Sequence, residues 1–297
     1  MDAILWLLNG IWSGIAGPVH VLMNLGTVFD FSDPENLMRV IYYGASAQIF
    51  FFFFNVAVVV FLVGLWRREF LWGVVRGLEG FANVVGRTAA WAGLLMVLQQ
   101  IMVIFLQSIF RASDISVGPV GVDLTQTVAW YSDSLKFYNA IIVCMCVSYT
   151  FVQGGHVRVD LFYASFSHRA KRVVDMFGSL FFMIPATALT WYYAWYFLWR
   201  HLITPPVNAS DTLDRTLAKA RAVRWNIETT GFSPNGFNAY FLFKVLILIF
   251  CAMVLVQAIA FFYRSYLEYV EGESSAGKYL DKDKLGDDDA ELVAQIH

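Results

Sequence analysis

Gly154-Gly155-His156-Val157-Arg158-Val159-Asp160-Leu161 is a polar hinge between two apolar runs, 137–155 and 176–199, neither of which carries a charge. Two such runs joined by so short a polar loop read as a membrane hairpin. Glycine ends a helix at little cost because it tolerates left-handed backbone angles, while Asp160 and Ser167 can cap the helical segments that follow. His156, Arg158, His168, Arg169, Lys171 and Arg172 crowd the same end of the hairpin, which the distribution of basic residues assigns to the cytoplasmic face.

Outward from the hinge the same signal repeats. Residues 41–66 and 88–110 are also free of charge, and 237–263 contains one, Lys244, near an end where its long stem can snorkel to the interface. A helix needs roughly 20 apolar residues to cross about 30 Å of hydrocarbon, because an unsatisfied backbone polar group there costs several kcal/mol. Five runs meet that length. With 58% hydrophobic and only 15% charged residues, the chain is far from the composition of soluble domains. The expected fold is all-α, a polytopic helical membrane protein. Net charge is −2, and the acid gathers in the tail after Glu268, whose run Asp287-Asp288-Asp289 can neither pack nor span. Lys and Arg hug the ends of apolar runs and form no single polar face, so nucleic acid is excluded as a partner. Cys144, Cys146 and Cys251 lie inside runs, where thiols behave as small apolar groups.

Residues 4–29 lack a basic start and a small-residue cleavage site, which argues against a removed signal peptide. Asn9, Ser13, His20, Asn24 and Thr27 recur at helical spacing beside Gly10, Gly14, Gly17 and Pro18. Such a helix either lies in the interface or packs its polar side inward.

Arg67, Arg68, Arg76 and Arg87 flank the next connection, which with the hinge faces the cytoplasm; the 111–136 loop, poor in basic residues, faces the other side. The loop 200–236 opposes the rule with Arg200, Arg215, Lys219, Arg221 and Arg224, but its length weakens the rule's hold. Within it Leu213, Leu217, Ala220, Val223 and Ile227 form an apolar stripe opposite Asp214, Arg215, Lys219 and Arg221, with Ser210 or Asp211 as the cap. This helix rests on headgroups or on the bundle, or it serves as a docking surface. A second amphipathic segment over 70–85 turns Leu71, Val74, Val75, Leu78, Phe81 and Ala82 one way and Arg76, Glu79 and Asn83 another.

Chemistry is sparse. A bis-histidine haem needs two facing imidazoles, yet His156 and His201 end successive runs on opposite sides, roughly 30 Å apart. No metal-ligand spacing emerges, and neither a cofactor nor a catalytic group is expected. The runs carry essentially no carboxylate, since Asp133 and Asp175 fall at their ends, so no ion pathway is expected. Asn55, Gln99, Gln100, Asn139 and Gln257 read as groups that bind neighbouring helices.

Residues from about 77 to 270 resemble the small membrane subunit of tripartite ATP-independent periplasmic (TRAP) transporters. Gly155-His156-Val157-Arg158-Val159-Asp160-Leu161, Ser167-His168-Arg169-Ala170 and Asp175-Met176-Phe177-Gly178 look like that family's central loop, its structural motif. Trp130 with Asp133 is similar to the start of its second helix, where Glu is more usual. Glu228-Thr229-Thr230-Gly231-Phe232-Ser233-Pro234, Lys244 and Gln257 resemble the branch labelled mannitol/chloroaromatic. The resemblance implies a core of four small-subunit spans, about 88–110, 135–153, 174–199 and 237–263 within 88–265. It also implies an interfacial arm helix and cytoplasmic connection over 67–87, and an acidic cytoplasmic tail over 266–297. Residues 1–66, with one or two apolar helices, would be an addition. It further implies a non-catalytic scaffold in a bacterial inner membrane, whose partners are the large TRAP membrane subunit, a periplasmic substrate-binding protein and lipids, for sodium-coupled uptake of a small organic anion. Arg215, Lys219, Arg221 and Arg224 are the candidate docking residues. A membrane anchor for a redox enzyme is the alternative, and a stand-alone transporter a third reading.

Overall fold

The computed structural model describes residues 2–23, 30, 32–117, 124–154, 163, 165–227 and 236–282. Helix α1 spans Asp2–Met23, α2 Pro34–Tyr43, α3 Ala47–Trp66 and α4 Arg68–Ile104, the last continued by a π-helical turn, Phe105–Ile109. A short antiparallel hairpin follows, β1 Asp114–Val117 against β2 Leu124–Thr127, with Asp114 opposite Thr127. Helix α5 covers Val128–Gln153, and α6 (His168–Gly178) runs through the π-helical turn Ser179–Met183 into α7 (Ile184–Arg200). The loop beyond holds β3 (Ile203–Thr204) paired with β4 (Arg224–Trp225) around α8 (Leu213–Lys219), before α9, Phe241–Glu271.

Among the described residues five helical rods are long and apolar enough to cross a membrane: Ala47–Trp66, Arg68–Ile109, Val128–Gln153, His168–Arg200 and Phe241–Glu271. In α9 44% of the most apolar stretch is buried, against 11–17% in the others, which makes it the central helix. Helices α4, α5, α6 and α7 pack around it and α3 lies across α4, with Tyr263 of α9 donating to the Ala57 carbonyl at 2.7 Å. The outward faces, such as Phe53, Val59 and Leu62 of α3 or Trp91, Leu95 and Leu98 of α4, remain apolar and exposed, as lipid or a membrane partner requires. Uncharged polar side chains tie helices together: Gln99 donates to Ser134 and to the Tyr131 carbonyl, and Ser148 to the Met253 carbonyl. Gln100 and Asn139 are instead exposed.

Helix α1 does not pack its polar side inward. Asn55 donates to the Ile11 carbonyl at 2.9 Å while Gly17 lies beside Gln48, so α1 runs antiparallel along α3. Its inward face is the glycine face. A Cβ on Gly14 would sit 2.8 Å from the Phe51 backbone, so the two main chains meet where only glycine fits. Asn9 stays exposed, and Ser13 donates to its own helix at the Gly10 carbonyl. Asn24 and Thr27 lie outside the described residues.

Segment 70–85 likewise departs from expectation. It is the first half of the single helix α4 rather than a separate arm, and Glu79 and Asn83 lie on its buried face beside Leu71, Val75 and Ala82 while Phe81 is exposed.

Candidate functional site

Two polar assemblies stand at opposite ends of the bundle. The first lies at the tail end, where α3 passes into α4 and α9 finishes. Glu79 and Arg264 are both buried, and the guanidinium grips the carboxylate with two bonds, Nε to Oε1 at 2.6 Å and Nη2 to Oε2 at 2.5 Å. The third guanidinium nitrogen reaches Glu268 at 3.3 Å and the Lys278 carbonyl at 3.0 Å. Glu268 also accepts from the Gly277 amide, and its other oxygen lies 2.6 Å from Arg172 Nη2, close as an ion pair though not aligned as a hydrogen bond. Arg172 in turn pairs with Asp175, which accepts from the Tyr163 hydroxyl at 2.8 Å. Helices α4, α6 and α9 are thereby joined through alternating charge.

These buried charges lie beyond the ends of the apolar runs and pair with one another. Low dielectric makes an isolated buried ion prohibitive, but here each carboxylate meets a guanidinium, and the fork of Arg matches a carboxylate edge to edge. The start of the tail belongs to the same structure. Asn83 donates to both the carbonyl and the carboxylate of Asp281, Arg87 pairs with Asp281 at 3.1 Å, Gln153 donates to its carbonyl, and Trp72 donates to Glu271 at 2.9 Å. Residues 272–282 therefore fold back over the ends of α4 and α5, and the acidic run 287–289 lies outside the described residues.

The hinge motif is described at its edges. Gly154 takes φ +76° and closes α5 in the left-handed cap expected of glycine. Ser167 is the N-cap of α6, accepting from the Ala170 amide, and Arg169 is exposed on the first turn. Gly155, His156, Arg158 and Asp160 lie outside the described residues, as does 228–234. His168 is half-buried, and both its ring nitrogens lack a hydrogen-bond partner among the described residues.

The second assembly is at the loop end. Helix α2 packs against α8 and α7 in one apolar cluster, Leu37, Met38 and Ile41 meeting Tyr196, Ile203, Val207 and Ala220. Two indoles fasten it: Trp195 donates to the Ile41 carbonyl at 2.8 Å and Trp191 to the Gly44 carbonyl at 3.0 Å. These carbonyls belong to the end of a helix, where four have no intrahelical partner.

The candidate docking cations divide here. Lys219 is consumed inside the loop, donating to the Pro206 carbonyl at 2.8 Å and to Asp211 at 2.6 Å. Arg215 is exposed, 3.9 Å from Asp211, and Arg221 and Arg224 are exposed. Asp211 does not cap α8 as expected; Thr212 occupies the N-cap without a side-chain bond, while Asp211 accepts from Lys219 and from the Asn208 amide. Burial pushes the Asp211 carboxyl up, but the Lys219 and Asn208 hydrogen bonds and the charges of Lys219 and Arg215 outweigh it and hold it below the ordinary carboxylate value.

The span-entry residues differ as well. Asp133 is buried and pairs with Lys136 at 2.8 Å. Lys244 does not snorkel: it is buried, its ammonium 5.0 Å from the Phe197 ring centre and 5.1 Å from that of Tyr240. Among the described residues no three His, Cys, Asp or Glu side chains converge as a metal site.

Residues 101–209 match the family model described as tripartite ATP-independent periplasmic transporters, DctQ component. The matched stretch runs from the upper part of α4 through α5, the hinge, α6 and α7 into the loop, little more than a third of the chain. No curated protein and no solved structure matches.

Proposed function

We propose that this chain is the small membrane subunit of a TRAP transporter, a non-catalytic scaffold that holds a large permease subunit. The reading rests above all on the DctQ match over 101–209, the stretch that holds the hinge and the hairpin around it. The arrangement of charge supports it. The ionic groups at the tail end face one another across helices, whereas the outward faces of the spans are apolar, as a frame for another membrane protein requires. In this role the large subunit moves a small organic anion with sodium, a periplasmic protein delivers it, and the exposed Arg215, Arg221 and Arg224 help to receive that protein by charge. The basic hinge and the tail face the cytoplasm, the loop 201–240 the periplasm. The mannitol/chloroaromatic branch is part of this proposal, carried by 228–234, Lys244 and Gln257, which lie outside the matched stretch.

Purification in mild detergent from the native membrane, followed by mass spectrometry and an absorbance spectrum, tests it. A larger polytopic protein in stoichiometric amount, without haem absorbance, is the expected result. A chain that comes alone, or brings a redox enzyme, overturns it.

A further inference from the structure

An open groove of 560 Å³ runs along the loop end of α7. Thr190, Tyr193, Phe197 and Arg200 line it from successive turns of α7, with Ile247 of α9 and Asn208 of the outer loop. Ten helical residues separate Thr190 from Arg200, about 15 Å of rise, which is one leaflet's share of a hydrocarbon core about 30 Å thick. Arg200 closes a rod long and apolar enough to cross a membrane, a helix end where arginine favours the headgroup region. It is exposed, and no carboxylate among the described residues pairs with it, although Asp211 and Asp133 each hold a cation of their own.

A largely apolar trough about 15 Å long, with a cation at its mouth that no carboxylate among the described residues pairs, has the shape and charge of an amphiphile with an anionic head. We propose that the groove binds one glycerophospholipid, its phosphate on the Arg200 guanidinium and one acyl chain along Tyr193, Phe197 and Ile247 toward Thr190. The fork of Arg200 suits a phosphate by paired charge-assisted hydrogen bonds. A free phosphate or small carboxylate would use only the rim and leave the apolar walls bare. The inference needs only that the chain spans a membrane and is independent of the transporter assignment.

The test is native mass spectrometry of the delipidated full-length chain in detergent, titrated with dioleoyl phosphatidylglycerol. One lipid should bind ahead of all others, and Arg200→Gln should weaken it about tenfold, the loss of a charge-assisted pair. Arg200→Lys, which keeps the charge without the fork, should bind more tightly than Arg200→Gln and less tightly than the unaltered chain, and millimolar inorganic phosphate should not displace the lipid. Thr190→Trp, at an exposed position, blocks the end away from Arg200 without touching the charge and should weaken binding while leaving the fold intact. Equal lipid binding by Arg200→Gln and the unaltered chain overturns the proposal. So does undiminished binding by Thr190→Trp, and displacement by phosphate would reveal a plain anion site instead.

Discussion

Replacing Glu79 by Gln keeps the shape of the side chain and removes its charge, leaving Arg264 buried against a neutral amide. Both partners are almost wholly enclosed, at 6% and 7% side-chain exposure, so water cannot take over the two bonds of 2.6 and 2.5 Å. Removing one member of a buried ion pair costs about 3–5 kcal/mol, and because Arg264 keeps Glu268 and the Lys278 carbonyl the lower end applies, about 3 kcal/mol or roughly a hundredfold in the unfolding constant. Arg264→Met should cost about 5 kcal/mol, since it leaves Glu79 without a charged partner. The double variant removes the mismatch along with the pair and should be about 3 kcal/mol milder than the sum of the single losses. Equilibrium unfolding in mixed micelles with increasing dodecyl sulfate, followed by tryptophan fluorescence, measures all three, and proteolysis within 276–282 reports release of the tail. Single variants within about 0.5 kcal/mol of the unaltered chain, or strict additivity, would refute the view that this pair is electrostatically isolated from solvent.

Gly14→Leu should separate α1 from α3, because its Cβ alone would fall 2.8 Å from main chain that cannot yield; the penalty, about 1–3 kcal/mol, is read as faster amide exchange in 5–17. Trp195→Phe deletes the donor to the Ile41 carbonyl and should loosen α2 by about 1 kcal/mol, seen as exchange over 37–45 while the spans stay protected. Asp211, its carboxyl held below the ordinary value, stabilises the loop fully above about pH 4, and that contribution fades as pH falls through the lowered value. Asp211→Asn should therefore speed exchange around α8 at neutral pH and make no difference in strong acid; an equal effect at both would refute the charge pairing. Reversing Arg215, Arg221 and Arg224 together should slow uptake by the reconstituted complex at low salt and much less at high salt, with the loop intact; an unchanged rate at low salt would remove them from docking.

The spans were legible because uninterrupted apolar runs need no periodicity to be read, and the left-handed cap at Gly154 because glycine alone is cheap there. Chemical type groups Glu79 with Arg76 and Asn83, away from the apolar face, yet it follows Leu71 and Val75 at intervals of four, the spacing of one buried stripe. The spacing carried the signal, and a carboxylate on an apolar stripe requires a cation from elsewhere, which Arg264 supplies 185 residues away. No local pattern links those two positions, nor Asn83 to Asp281. Lys244 escaped for a similar reason, since nearness to a helix end predicts snorkelling only where neighbours leave that end open, and here the rings of Phe197 and Tyr240 face the ammonium. The inward face of α1 was hidden because polar periodicity drew attention from its small residues, and close backbone approach depends on what is absent from a side chain.

The fastening of α2 has a consequence for biogenesis. Its last carbonyls are met by indoles that follow 147 and 154 residues later in the chain, so a ribosome adding about 5–20 residues per second leaves them waiting roughly 8–30 s. The first helices must therefore persist at the membrane as an unfinished lid, and α7 latches it on arrival. A nascent chain halted before Trp191 should expose α2 to modification, and one halted after the loop 201–227 should protect it.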